Sequence, residues 1–146
     1  MITSIQSFNE LSTQDLYDIL QLRNAIFIVE QQCPYQDLDY KDQQALHLCI
    51  REEDTLLAYA RILPDYEADT LSFGRIVTAT VARGQGLGKQ LLSNVMDYLQ
   101  THFAGKMVHI HAQFYLKRFY ESYGFWSEGE PFDEDGIPHI LMVRSL

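Results

Sequence analysis

Apolar and polar positions change period several times along this chain, and each change marks an element. Ser12, with Asp15 three residues on, is a helix-start signal of the capping-box kind. Leu16, Ile19, Leu20 and Arg23 follow at helical spacing. A second short helical piece is predicted over residues 25–31, and Pro34 ends that region because it lacks a backbone N–H. Residues 46–51 are apolar enough for a strand. Glu52, Glu53 and Asp54 read as a turn, and residues 56–63 as the hairpin partner, stopped by Pro64. Residues 71–78, rich in Phe, Ile and Val, read as a further strand. Beyond it Leu87, Leu91, Val95 and Leu99 form one stripe, widened by Leu92 and Met96. That stripe predicts a helix of about four turns packed on a sheet. Residues 107–112 read as a strand. Leu116, Phe119, Tyr120 and Tyr123 predict a short helix closed by Gly124, which tolerates the left-handed cap conformation. Residues 125–128 and 139–144 are the terminal strand candidates, separated by an acidic loop over 132–136.

The predicted order is helices, a hairpin, a strand, a helix, a strand, a helix and two strands. Its natural packing is an α/β (α+β) fold, a mixed twisted sheet with helices on both faces, in one domain spanning 1–146. Residues 71–112 have the strand–helix–strand pattern of a right-handed crossover. Charge narrows the function classes. Lys and Arg number 11 against 20 Asp and Glu, a formal net charge of -9. That balance argues against nucleic-acid binding and against a polybasic membrane patch. It permits attraction of a cationic substrate. The N-terminus has neither a basic region nor an apolar run, and no apolar stretch approaches the roughly 20 residues that span a bilayer. A soluble, cytoplasmic protein is expected.

The most informative stretch is residues 72–99. A strand leads through a short connector and alternate glycines at 84, 86 and 88 into a helix. Such a turn lets successive N–H groups approach a ligand, and the helix start adds a positive dipole end. Arg83 and Lys89 flank it with positive charge. This suits a phosphate or pyrophosphate; the plainer alternative is a glycine-rich connector with solvent-facing charges. A Walker A loop would need Gly where Arg83 stands and Ser or Thr where Gln90 stands. A Rossmann fingerprint would need Gly where Lys89 stands.

Arg83-Gly84-Gln85-Gly86-Leu87-Gly88 and the later Phe119-Tyr120-Glu121-Ser122-Tyr123-Gly124-Phe125 resemble, in order and spacing, the two signatures of the GNAT N-acetyltransferase superfamily. Residues 27–39 (FIVEQQCPYQDLD) and 134–142 (EDGIPHILM) resemble its ElaA-type branch. The resemblance implies acetyl-coenzyme A as the acyl donor. The backbone of residues 83–88, with Lys89 beside it, would hold the pyrophosphate: Arg83, Gly84, Gln85, Gly86, Leu87 and Gly88. The strand end at Ile76, Val77 and Thr78 would pair with the pantetheine amides, in a gap opened by splaying from the strand near 107–112. Core packing of Ile76 and Val77 is compatible with that, since the contact uses backbone.

Tyr120 is the residue that the second signature marks for chemistry. A positioned phenol can protonate a departing thiolate. Its alternative is an aromatic core residue in line with Leu116 and Tyr123. A protonated amine must also lose its proton before attack, which asks for a base. Glu30, in the branch-like segment, is one candidate, with helix capping or an arginine salt bridge as its alternative. His111 is another, on the splayed strand, with a plain surface position as its alternative. His47 and His139 are further candidates. Asp37 and Asp39 would help attract a cationic acceptor or else face solvent.

No metal is expected: His109 with His111, and His47 with Cys49, are pairs without third and fourth ligands at zinc-like spacing. Cys33 would serve as a nucleophile in a hydrolase reading that lacks a local signature, and a buried inert thiol is the plainer expectation. The reading is therefore direct acetyl transfer to a primary amine on a small molecule or peptide, by a monomer or homodimer. The rival is an acyl-coenzyme A-binding regulatory module with little turnover. The acceptor itself is open among polyamines, aminoglycoside-like amines, amino acids and protein lysines or N-termini.

Overall fold

The computed structural model describes residues 1–146. Seven strands form one mixed sheet: β1 (Ile2–Ser7), β2 (Leu46–Glu52), β3 (Thr55–Asp65), β4 (Thr70–Thr78), β5 (Met107–Gln113), β6 (Trp126–Glu134) and β7 (Ile137–Ser145), in the order β1-β2-β3-β4-β5-β7-β6. Helices α1 (Thr13–Arg23), α2 (Leu87–His102) and α3 (Lys117–Glu121) flank it. No helix is long and apolar enough to cross a membrane.

The helix signals act locally, as their chemistry requires. The Ser12 side chain accepts from the Asp15 N–H while the Asp15 carboxylate accepts from the Ser12 N–H, closing the capping box of α1. The predicted second helical piece is a π-helical turn, Asn24–Glu30, continuous with α1. In α2 all six residues of the predicted stripe are buried.

Alternation along the central strands divides the core between two faces. Leu48, Ile50, Ala58, Ala60 and Ile62 pack with α2 and α3, whereas Cys49, Tyr59 and Val77 pack with Ile19, Leu22 and Ile26 on the α1 side.

Two expectations are corrected. The chain opens with a strand, not a helix. In ITSIQS the two isoleucines stand three apart, which does not fit the strand period of two, and Ile2 is exposed; pairing of Ile5 with Leu48 and Ser7 with Leu46 makes this edge strand. The acidic loop over 132–136 is also mostly strand. Phe132, Asp133 and Glu134 pair with His139, Pro138 and Ile137, and only Asp135 and Gly136 turn, both at positive φ (52° and 80°). That is the favoured two-residue hairpin geometry.

The pairing of β4 is interrupted on both sides. It pairs with β5 in parallel only at Thr70↔Met107 and Leu71↔Val108, after which the strands part. One extra residue also bulges out opposite Tyr59–Arg61 of β3, and Arg75 in that bulge has φ 51°.

Candidate active site

Where β4 and β5 part, a cleft of about 1100 Å³ opens, running from the glycine turn past α3 to the β6–β7 turn. Gln90 N–H bonds to the Gly86 carbonyl and starts α2, and Arg83 N–H bonds to Thr80, but the N–H groups of residues 84–89 have no partner within the protein. Gly86 caps the helix in the left-handed conformation, φ 74°. A Cβ built on Gly84, Gly86 or Gly88 meets nothing within 4 Å, so each glycine leaves room for a ligand. With Arg83 and Lys89 on the cleft wall, the set suits a diphosphate. The β4 edge facing β5 is unpaired beyond Leu71, so it is free to bond an extended chain carrying amides. These residues therefore fit coenzyme A.

The individual side chains divide as alternation dictates. Ile76 and Thr78 line the cleft, and Val77 is buried on the α1 face. Leu87 forms part of the cleft floor, and Gln85 points away toward the β2–β3 turn. For Val77 and Gln85 only the backbone is available to a ligand.

Tyr120 is held by the end of its own helix. Phe125 N–H bonds to the Tyr120 carbonyl and Gly124 N–H to the Glu121 carbonyl, a Schellman closure with Gly124 at φ 87°. The accompanying apolar contact is Tyr120 on Phe125, with ring centroids 5.9 Å apart, and Phe73 and Phe119 also pack on it. The residue is 8% exposed and lines the cleft, and its hydroxyl makes no hydrogen bond within the protein. Burial, with a smaller contribution from Tyr115, pushes its phenol up to about 12. At neutral pH it is a proton donor.

The candidate bases separate. Glu30 is half-exposed, lies 2.6 Å from Arg83 Nη2 and does not line the cleft. The structure gives it the arginine salt bridge foreseen as its alternative. His111 lines the cleft, and its Nδ1 is 3.0 Å from Glu134 Oε1. His139 is nearby, with Nε2 3.5 Å from Glu134 Oε2. His47 is fully buried elsewhere, between the Tyr59 hydroxyl at 2.6 Å and the Asp42 carbonyl at 2.9 Å. Cys33 is not a buried thiol: it lines the cleft, half-exposed, with Sγ 3.6 Å from the Asp135 carbonyl oxygen, and no histidine bonds to it.

Comparison with known proteins decides the family. The model for the Acetyltransferase (GNAT) domain matches residues 11–146. The chain belongs to the GNAT acetyltransferase family. Its relatives place it in the ElaA-type branch. Protein ElaA of Escherichia coli K12 is 43% identical over 141 residues, 94% of this chain and 92% of that protein. An acyl-CoA N-acyltransferase from Pseudomonas aeruginosa superposes with a TM-score of 0.94 at 37% identity, covering 99% of each chain. The crystal structure of E. coli ElaA does so with 0.92 at 39% identity, again over 99% of each.

One part of this GNAT fold escapes sequence reasoning. Asp37 and Asp39 do not stand free to attract an acceptor. Asp37 binds Arg23 (3.0 Å) and Arg75 (2.7 Å), Asp39 binds Arg61 (2.8 Å) and Arg75 (3.4 Å), and Asp42 binds Arg23 (2.8 Å) and Arg61 (3.0 Å). Three arginines thus neutralise three aspartates and tie the segment after the π-helical turn to β3 and β4. Arg23 is fully buried and Arg61 nearly so. Burial alone would push the Asp42 carboxyl up, but its bonds to the two arginines outweigh this and hold it below the ordinary value. A helical-stripe arginine was visible in the sequence, yet nothing local named its partners 14 and 19 residues away.

Proposed function

We propose that this chain transfers an acetyl group from acetyl-coenzyme A directly to a primary amine carried by a small molecule or a peptide. Tyr120 carries the reading: a protonated phenol, fixed by a helix cap, with a free hydroxyl in a cleft that also holds six unpartnered backbone donors. The bound thioester supplies an activated acyl group and a thiolate leaving group.

The chain's residues do the rest. Backbone N–H groups of residues 84–89, with Arg83 and Lys89, hold the pyrophosphate. The free backbone edge of β4 at Ile76, Val77 and Thr78 orients the pantetheine. His111 takes a proton from the acceptor ammonium at Nε2, and Tyr120 gives its phenolic proton to the departing sulfur. Glu30 serves by holding Arg83 at the turn, not as the base.

The test begins with a panel of polyamines, amino acids and peptide amines. Tyr120→Phe should then lower turnover on the best acceptor by about 10²–10⁴-fold, with calorimetric affinity for acetyl-coenzyme A unchanged. Equal turnover would make Tyr120 structural. Tight acetyl-coenzyme A binding without acetylation of any amine would favour the regulatory-module reading.

A further inference from the structure

We infer that Glu134 is the positioning residue for the proton acceptor, holding His111 in the tautomer that leaves Nε2 unprotonated toward the cleft. This rests on the acetyltransferase reading above. Neither the motifs nor the resemblance assigns a role to Glu134.

The placement comes from strand register. His111 and Gln113 of β5 pair with Leu141 and His139 of β7, and Glu134 of β6 pairs with Ile137 of β7, one position before the two-residue turn. Three adjacent strands thereby bring His111, Glu134 and His139 to one wall of the cleft. Glu134 Oε1 accepts from His111 Nδ1 at 3.0 Å, and Oε2 lies 3.5 Å from His139 Nε2.

Phe132 restrains both rings, edge-on to His111 at 5.1 Å and stacked on His139 at 6.2 Å. His139 Nδ1 donates to the Ile137 carbonyl at 2.7 Å, so its Nε2 bonds Glu134 as a donor only in the doubly protonated ring.

A carboxylate accepts hydrogen bonds and cannot give one. His111 beside Glu134 must therefore carry its proton on Nδ1, and Nε2, which has no partner in the protein, keeps its lone pair. When an acceptor ammonium reaches Nε2, one N–H bond breaks, the electron pair stays on the amine nitrogen, and an Nε2–H bond forms. The resulting imidazolium faces the Glu134 carboxylate and later releases its proton to water. Other titratable or charged groups lining the same cleft are His109, Asp135, Cys33, Tyr115 and Tyr120, and farther along it Tyr35, Asp39, Lys41, Arg61, Arg75, Arg83 and Lys89.

Two measurements test this. Imidazole nitrogen NMR on the free protein reads the His111 tautomer without any acceptor: Nδ1–H in the native chain, with the Nε2–H form appearing in Glu134→Ala. With the fastest amine of the panel, Glu134→Gln should lower kcat about 10–100-fold and alter the pH–rate profile, with KM for acetyl-coenzyme A little changed. Glu134→Asp, which keeps the charge, should recover part of the rate.

An unchanged tautomer in Glu134→Ala overturns the inference. So does full activity of Glu134→Gln while His111→Asn is inactive, an outcome that leaves the transferase reading standing. Full activity of His111→Asn removes both His111 as base and Glu134 as its holder.

Discussion

The cleft wall contains two polar regions of opposite character. Around the β4 bulge, Arg23, Arg61 and Arg75 are bonded to Asp37, Asp39 and Asp42, so charge meets charge inside the protein. At the glycine turn, six consecutive N–H groups have no partner at all. The first region has its charges paired within the protein, leaving only Arg61 Nε and Arg75 Nε without a hydrogen bond, and it fixes architecture. The second is incomplete without one, and its unpaired donors are what a binding site offers. Polarity alone would have ranked the charged cluster first; the pairing of its charges within the protein, against a run of six free donors at the turn, reverses the ranking.

The largest effect that separates the two should come from Asp42→Ala, which leaves two buried arginines short of a partner. Breaking a buried pair costs about 3–5 kcal/mol, read as a lower urea midpoint at unchanged slope. Acetyl-coenzyme A affinity of the folded fraction should hold. A loss confined to cofactor affinity would break the distinction.

Gly86→Val probes the other region. A β-branched residue at φ 74° is strained by about 1–3 kcal/mol, and its side chain enters the space left open for the ligand. Calorimetry should show acetyl-coenzyme A binding weakened at least about tenfold, equivalent to about 1.4 kcal/mol. Undiminished binding by the folded variant would displace the proposed site.

The smallest effect concerns acid. Burial holds the folded His47 ring below its ordinary 6.5. Its contribution is complete above the unfolded value and is lost as pH falls through the folded one. Asp42, also held low, adds a further loss below its ordinary 3.8. Urea midpoints should therefore fall in two stages on acidification, and His47→Gln should flatten the upper stage. A midpoint rising toward acid would contradict both assignments.

Local chemistry made much of this legible beforehand. The α1 cap, the α2 stripe, the glycine turn and the Gly124 closure each lie within one continuous segment, with each residue only a few positions from the next. The site's other half depends on register. Glu134 meets His111 only because β7 lies between β5 and β6, and Arg75 meets Asp37 across 38 positions. No periodicity within a single segment carries that information. Ile2–Ser7 was hidden for the same reason: its partner, β2, begins nearly 40 residues later. Asp135-Gly136 was different, because that dipeptide is itself a hairpin signal and lay inside the expected acidic loop.

The parting of β4 from β5 also has a mechanical meaning. The sheet is two sequence-contiguous panels, β1–β4 and β5–β7–β6, and their ladders meet at only two residue pairs. Along the rest of the seam, α2 and the shared apolar layer span the panels without backbone bonds. Amide protons on the free edge of β4 therefore have no ladder to slow their exchange with solvent, unlike those bonded to β3. An extended ligand in the seam would act as a removable rung between the panels, and its grip would be written in the exchange rates of residues 72–78.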